Sequence, residues 1–121
     1  MEMKTILREI NVGLWIARIN VKTGKGELYA DETMRKILGV YNNITPKECF
    51  EFWYKNVDDQ HIKSINKMAD DMAQSDKVVQ VEYLWHNSSK DVIAVRSSGR
   101  CTEKNDEIVV FEGFHRIISG L

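Results

Sequence analysis

Val78-Val-Gln-Val-Glu-Tyr-Leu-Trp85, Val92-Ile-Ala-Val-Arg-Ser-Ser-Gly-Arg-Cys101 and Ile108-Val-Val-Phe-Glu-Gly-Phe-His-Arg-Ile-Ile118 fill the last third of the chain, and their reading decides the fold. In the first run Val79, Val81, Tyr83 and Trp85 alternate with Gln80 and Glu82, the period-two pattern of a half-buried strand. His86 to Asp91 is a polar break. The second run sets Ile93, Val95, Ser97, Gly99 and Cys101 on one side and Arg96, Ser98 and Arg100 on the other. After the turn Glu103 to Glu107, the third run is apolar on both faces, which places it in mid-sheet and predicts a cover on each side. Three antiparallel strands follow from this, and everything upstream has to supply the rest of the sheet and the layer that covers it.

Working back from there, Asp58 or Asp59 caps a long helix reaching about Ser75, with Ile62, Ile65, Met68, Ala69 and Met72 along one side. Thr45-Pro-Lys-Glu48 is a capping box with proline at the first helical position, opening a short helix to about Tyr54 whose inner face carries Cys49, Phe50 and Trp53. Asp31 caps a helix from Glu32 to Leu38, stopped by Gly39, with Met34, Ile37 and Leu38 buried. Leu14 to Val21 and Glu27 to Ala30 form a hairpin through the glycine-containing turn Lys22 to Gly26. Met3, Ile6, Leu7 and Ile10, at helical spacing, predict an amphipathic helix over residues 1–12 that lies against the sheet or across a two-fold axis. The expected fold is therefore α+β: a five-stranded antiparallel sheet, a helical cluster on one face and an N-terminal amphipathic helix.

Composition narrows the function. A chain of 121 residues makes one domain, and 17 basic against 18 acidic residues leave a net charge of -1, with no electrostatic footprint for nucleic acid. The two cysteines, Cys49 and Cys101, are far apart and have neither disulfide-framework nor zinc spacing, so a reducing, cytoplasmic setting is expected. No run is long enough for a membrane helix, and direct membrane insertion is not expected.

Several short motifs are carried in order along this framework. Gly13-Leu-Trp15 precedes Asn20-Val-Lys-Thr-Gly24; Ile37-Leu-Gly39 closes the first helix; Val57-Asp-Asp59 heads the long one; and Val95-Arg-Ser-Ser-Gly-Arg100 lies in the second of the three final strands. Together they resemble the PAS family of sensor domains over nearly the whole chain, with residues 13–119 as the domain. The departures are Val57 where the family has proline, Ala94 where it has tryptophan, and Ile117-Ile-Ser119 where it closes with Asp-Ile-Thr. Glu112-Gly-Phe-His115 resembles members found upstream of diguanylate cyclase or histidine kinase modules. The resemblance implies a sensory, non-enzymatic domain that binds a small molecule, dimerises, or does both to regulate an effector domain in cis, with a homodimer as the expected assembly. A ligand-free PAS interaction module is the alternative. Trp53, Ile65, Met68, Tyr83, Val95, Ser97, Phe111 and His115 are the expected pocket residues, and Met3, Ile6, Leu7 and Ile10 the expected dimer contacts.

Each chemical candidate has a plainer reading beside it. His61 lies on the helix that carries the iron ligand in haem-binding relatives, yet a surface histidine in a first turn is the commoner case. Cys49 and Cys101 lack the Asn-Cys-Arg-Phe context of flavin-binding relatives and read as packing residues, so neither haem nor flavin is expected. His115 either faces the cavity as a titrating group or is hydrogen-bonded at a strand end. Asp58-Asp59 and Asp70-Asp71 point about 100° apart on a helix and do not converge for acid–base chemistry. Trp15, Trp53, Trp85, Phe50 and Tyr83 either line an aromatic pocket or fill the core.

Overall fold

A computed structural model describes residues 11–87, 89 and 91–120 of the chain. Its elements are β1 (Val12–Asn20), β2 (Gly26–Ala30), α1 (Glu32–Leu38), α2 (Pro46–Lys55), α3 (Ile62–Gln74), β3 (Val79–His86), β4 (Val92–Lys104) and β5 (Ile108–Gly120). The strands form one antiparallel sheet in the order β2-β1-β5-β4-β3. The first and last strands of the domain thus lie side by side at its centre, with the helices covering one face. The predicted helix at residues 1–12, with Met3, Ile6, Leu7 and Ile10, lies outside the described residues save for its last two positions, of which Val12 begins β1.

Local chemistry sets the element ends. In the β1–β2 turn the Asn20 side-chain oxygen accepts from the amides of Lys22 (2.9 Å) and Thr23 (3.1 Å), and the Thr23 hydroxyl accepts from Lys25 (3.2 Å), which is what the Asn-Val-Lys-Thr-Gly sequence is for. Asp31 accepts from the Met34 amide at 2.8 Å and from the Leu14 amide at 3.1 Å, so one carboxylate caps α1 and ties it to β1. Gly39 ends α1 at φ 72°, in the left-handed region that glycine enters without steric cost. The capping box of Thr45 and Glu48 is complete.

The start of the long helix differs from expectation. Asp58 accepts from the Gln60 amide and caps a 3-10 turn, Asp59–His61, and α3 begins only at Ile62. The residues before it pair with the sheet: Val57 bridges Trp85, the Asp58 amide donates to the Leu84 carbonyl (2.9 Å) and the His86 amide donates to the Asn56 carbonyl (2.8 Å). The edge strand β3 is thereby covered over part of its length, a protection such edges need. Among the described residues no helix is long and apolar enough to cross a membrane.

β5 is central, as its composition required, but only one of its faces is buried by the described residues. Val109, Phe111 and His115 are buried, whereas Phe114 and Ile118 are exposed, as is Ile16 on neighbouring β1. The physical reason is that all three helices gather on one side, and an antiparallel sheet tolerates one open face. Ile117 pairs with Val95 next to a register shift between Ala94 and Val95, and does not reach a buried position.

Candidate functional site

Adjacent strands of the sheet set Trp15 opposite Gly113, and Gly113 opposite Gly99, in one cross-strand row. A Cβ on Gly113 would lie 2.5 Å from Trp15 Cζ2, and one on Gly99 2.9 Å from Trp15 Cη2, so the indole lies across two residues that must lack side chains. The flanking rows are also small in part: Ala17 opposes Phe111, and Ser97 opposes His115 with Gly13 on the other side. Trp15 takes up the room over Gly99 and Gly113, while the small side chains of Ala17 and Ser97 leave space beneath the helices that larger ones would have filled.

That space is a cavity of about 470 Å³. Its floor and ends are Trp15, Ala17, Ile19, Leu28, Ser97, Phe111 and His115 from the strands; α3 contributes Ile65, Asn66, Met68, Ala69, Asp70 and Met72; α1 and α2 add Met34, Phe50, Trp53 and Tyr54, and Gly24 stands at one side. The walls are predominantly apolar and aromatic, with a few polar groups, the composition of small-molecule sites.

One polar chain runs behind the wall. The Trp53 Nε1–H donates to the Tyr83 hydroxyl at 2.7 Å, and the Tyr83 hydroxyl bonds His115 Nε2. An indole N–H only donates, so the tyrosine oxygen accepts from Trp53, and the pairing that leaves the fewest buried groups unpaired sends the tyrosine proton to Nε2. This assigns His115 as the neutral tautomer with its proton on Nδ1. Burial, at 3% exposure, pushes the His115 pKa down to about 3, since a charged imidazolium would be stranded away from water. Burial likewise raises the Tyr83 phenol above its ordinary range, against the smaller lowering effect of the Trp53 hydrogen bond. Trp15, Trp53 and Tyr83 each meet the His115 ring edge to face, at centroid distances of 5.9, 6.5 and 5.7 Å.

Of the residues singled out from sequence, Trp53, Ile65, Met68, Ser97, Phe111 and His115 border the cavity. Tyr83 does not, although it holds both Trp53 and His115. Val95, paired with Tyr83, is buried in the sheet away from it. Among the aromatic candidates Trp15 and Phe50 reach the cavity, whereas Trp85 is core and donates to the Trp53 carbonyl at 2.9 Å. The sequence reading missed Ala17, Leu28, Met34 and Tyr54 from the first half of the chain, and Asn66 and Asp70 from α3. The available signal was the pair of glycines inside strand patterns, Gly99 and Gly113, which mark a close approach.

The remaining candidates fall elsewhere. His61 Nδ1 accepts from the Leu84 amide at 3.4 Å beside the start of α3, and does not border the cavity. Asp58 pairs with His86 at 2.9 Å, and hydrogen bonds from His86 and the Gln60 amide hold its carboxyl below the usual range. Cys49 is buried, and burial raises its thiol pKa; Cys101 is unpaired. Among the described residues no three or more His, Cys, Asp or Glu side chains are grouped to hold a metal ion.

No protein-family model and no curated protein matches the chain. Solved structures do. A sensory box histidine kinase/response regulator from Burkholderia thailandensis superposes with a TM-score of 0.72 at 17% identity, over 98% of this chain and 86% of that one. The N-terminal domain of a diguanylate cyclase with PAS/PAC sensor from Marinobacter aquaeolei gives 0.65 at 16% identity, over 89% and 95% of the two chains. The PAS-B domain of Drosophila melanogaster Cycle, with bound ethylene glycol, gives 0.65 at 16% identity over 86% and 99%. The chain therefore has the PAS fold. Its structural neighbours include the sensor domains of signalling proteins from bacteria and a PAS domain from an animal.

Proposed function

We propose that this chain is a sensory PAS domain that binds a small molecule in its internal cavity and regulates an effector domain of diguanylate cyclase or histidine kinase type in the same polypeptide. The observation that carries the reading is the cavity of about 470 Å³, set between sheet and helices and lined mainly by apolar and aromatic side chains. The kinase and cyclase sensor domains that share the fold support the choice of effector. In this reading the domain is regulatory and not catalytic, works in the cytoplasm without haem or flavin, and forms a homodimer. Met3, Ile6, Leu7 and Ile10 then cover the outer sheet face around Ile16, Phe114 and Ile118, which the described residues leave exposed.

The decisive experiment combines mass spectrometry of small molecules released from the purified protein with a thermal-shift screen on wild type and Ser97→Phe. Ser97 is on the cavity floor, so a phenyl ring there occupies the space a ligand would take. A released or stabilising compound whose thermal shift vanishes in Ser97→Phe is the expected result. An undiminished shift places binding elsewhere.

The exposed outer face favours a second reading, a ligand-free interaction module acting through the sheet. Under it, no compound would be released, and substitution of Phe114 by a charged residue, rather than Ser97→Phe, would abolish regulation of the effector.

A further inference from the structure

Exposure of the lining shows where the cavity meets solvent. Its deep residues, Trp15, Leu28, Met68, Ser97, Phe111 and His115 among them, are buried. Gly24, Asn66 and Asp70 are exposed, and Phe50, Tyr54 and Ala69 are half-buried. These six come from the β1–β2 turn, α2 and α3, so the solvent side lies where those three elements face one another. α2 packs on β2 and α3 on β3 and β4, and the two helix backbones stay apart, leaving a gap between them over the sheet. The turn keeps the same side open, for a Cβ on Gly24 would meet nothing within 4 Å. Among the described residues one hydrogen bond joins the two helices across the gap, from the Tyr54 hydroxyl to Asn66 Oδ1 at 2.9 Å. The Tyr54 ring is held in place for it by Phe50, stacked at a centroid distance of 6.2 Å, and by Trp53, edge-on at 6.0 Å.

Resting on the reading of the cavity as a ligand site, we propose that this gap is its entrance and that the Tyr54–Asn66 hydrogen bond is a latch across it. The bond is broken for a ligand to pass and remade behind it. Its position suits that role. At an exposed site water takes the place of either partner when the bond opens, so opening costs little, whereas breaking the buried Tyr83–His115 bond would strand polar groups. Freed from Asn66, Tyr54 clears the rim by a change of side-chain rotamer, and the sheet and both helices keep their places. Met68 and Met72, on the same helix as Asn66, are flexible enough to re-pack as a molecule moves past them. Because the latch is made over the empty cavity and over the filled one alike, it sets how fast ligands enter and leave. The buried lining beneath it sets how tightly they are held.

Stopped-flow fluorescence with N-phenyl-1-naphthylamine, a neutral apolar dye whose emission rises out of water, tests this. Association and dissociation rates are measured on wild type, Tyr54→Phe, Asn66→Ala, the double variant, Lys67→Ala and Ser97→Phe. Tyr54→Phe keeps the ring and removes only the hydroxyl, and as a change at an exposed bond it should leave the melting temperature within about 4 °C of wild type. The expected result is that Tyr54→Phe and Asn66→Ala each raise both rates together by roughly two- to tenfold, while Kd stays within about twofold. The double variant should be no faster than the faster single one, since both changes remove the same bond. Lys67→Ala breaks the exposed Lys67–Asp71 pair on the same helix and should leave the rates unchanged. Ser97→Phe should weaken binding by filling the cavity floor. Wild-type rates in both Tyr54→Phe and Asn66→Ala overturn the latch while leaving the cavity as a ligand site. A rise in dissociation alone, with weaker Kd, also overturns it, because the two residues would then hold the dye instead of gating it. Absence of saturable binding to folded wild type, or undiminished binding to Ser97→Phe, defeats the cavity reading and this inference with it.

Discussion

Acidification from pH 8 to pH 5 should destabilise the fold through His115. In the unfolded chain its imidazole titrates near 6.5, whereas in the folded protein burial lowers the value to about 3. The folded pKa is the depressed one, so the unfolded state binds more protons throughout the interval between the two values, and stability falls as pH falls. The contribution is complete above the unfolded value and declines progressively below it, until the folded ring itself takes up a proton. At pH 5 roughly 97% of unfolded chains have this ring protonated and about 1% of folded ones, which corresponds to a loss of about 2 kcal/mol relative to pH 8. Any folded pKa below about 4 gives nearly the same loss, because proton uptake by the unfolded state dominates. For a domain of this size such a loss lowers the melting temperature by roughly 8 °C. The assay is urea unfolding at pH 8 and pH 5 for wild type and His115→Gln, whose amide cannot titrate but can still meet the Tyr83 hydroxyl. Wild type should lose about 2 kcal/mol more than the variant over that interval. Equal losses in the two proteins, or an NMR titration in which His115 protonates above pH 5 in the folded state, would refute the reasoning.

Tyr83→Phe removes the hydroxyl that joins part-buried Trp53 to buried His115 and leaves both unpaired, so it should cost about 1–3 kcal/mol in chemical denaturation despite being nearly isosteric. Gly113→Ala should be worse, on the order of 3 kcal/mol or failure to fold, because the new methyl would sit 2.0 Å from the Ser98 carbonyl oxygen as well as against Trp15, and the backbone cannot yield. Deleting residues 1–9 should lower the melting temperature or change the sedimentation profile if Met3, Ile6 and Leu7 cover the outer face; neither change would count against that role. Ile117, exposed at the end of β5, is expected to couple the domain to its effector by apolar contact. Both Ile117→Asp and Ile117→Ala should then impair regulation in the full polypeptide while the isolated fold survives, and intact regulation in both would remove Ile117 from the pathway.

Much of the fold is legible in short stretches because the interactions that define it are short in range. Asp31, Gly39 and the Thr45–Glu48 box act within a turn of the helices they bound. Asn20 folds the β1–β2 turn on amides two and three residues away. Period-two alternation marks β3 and β4, and the two-sided apolar content of β5 correctly places it in mid-sheet. Even so, the long helix begins later than its sequence indicates. Pairing of Val57 with Trp85, a contact across the fold, holds the segment before it in extended form.

The cavity itself was decided only by tertiary structure. Nothing near Trp15 in sequence says that it lies across Gly113 and Gly99; that follows from β1 pairing with β5, and β5 with β4. Trp53, Tyr83 and His115 are likewise separated by 30 and 32 residues, and their hydrogen-bond chain exists because α2 packs over the sheet where β3 and β5 bring the other two together. Which face of β5 is open also depends on where the helices go, and not on the apolar content of the strand, which is similar on both sides. The sequence by itself determined the strands, most helix caps and the core-facing sides of β3 and β4, since periodicity and capping act over a few residues. Tertiary pairing decided the cavity and the hydrogen-bonded chain of Trp53, Tyr83 and His115, because each is a property of side chains that meet only when distant parts of the chain are brought together.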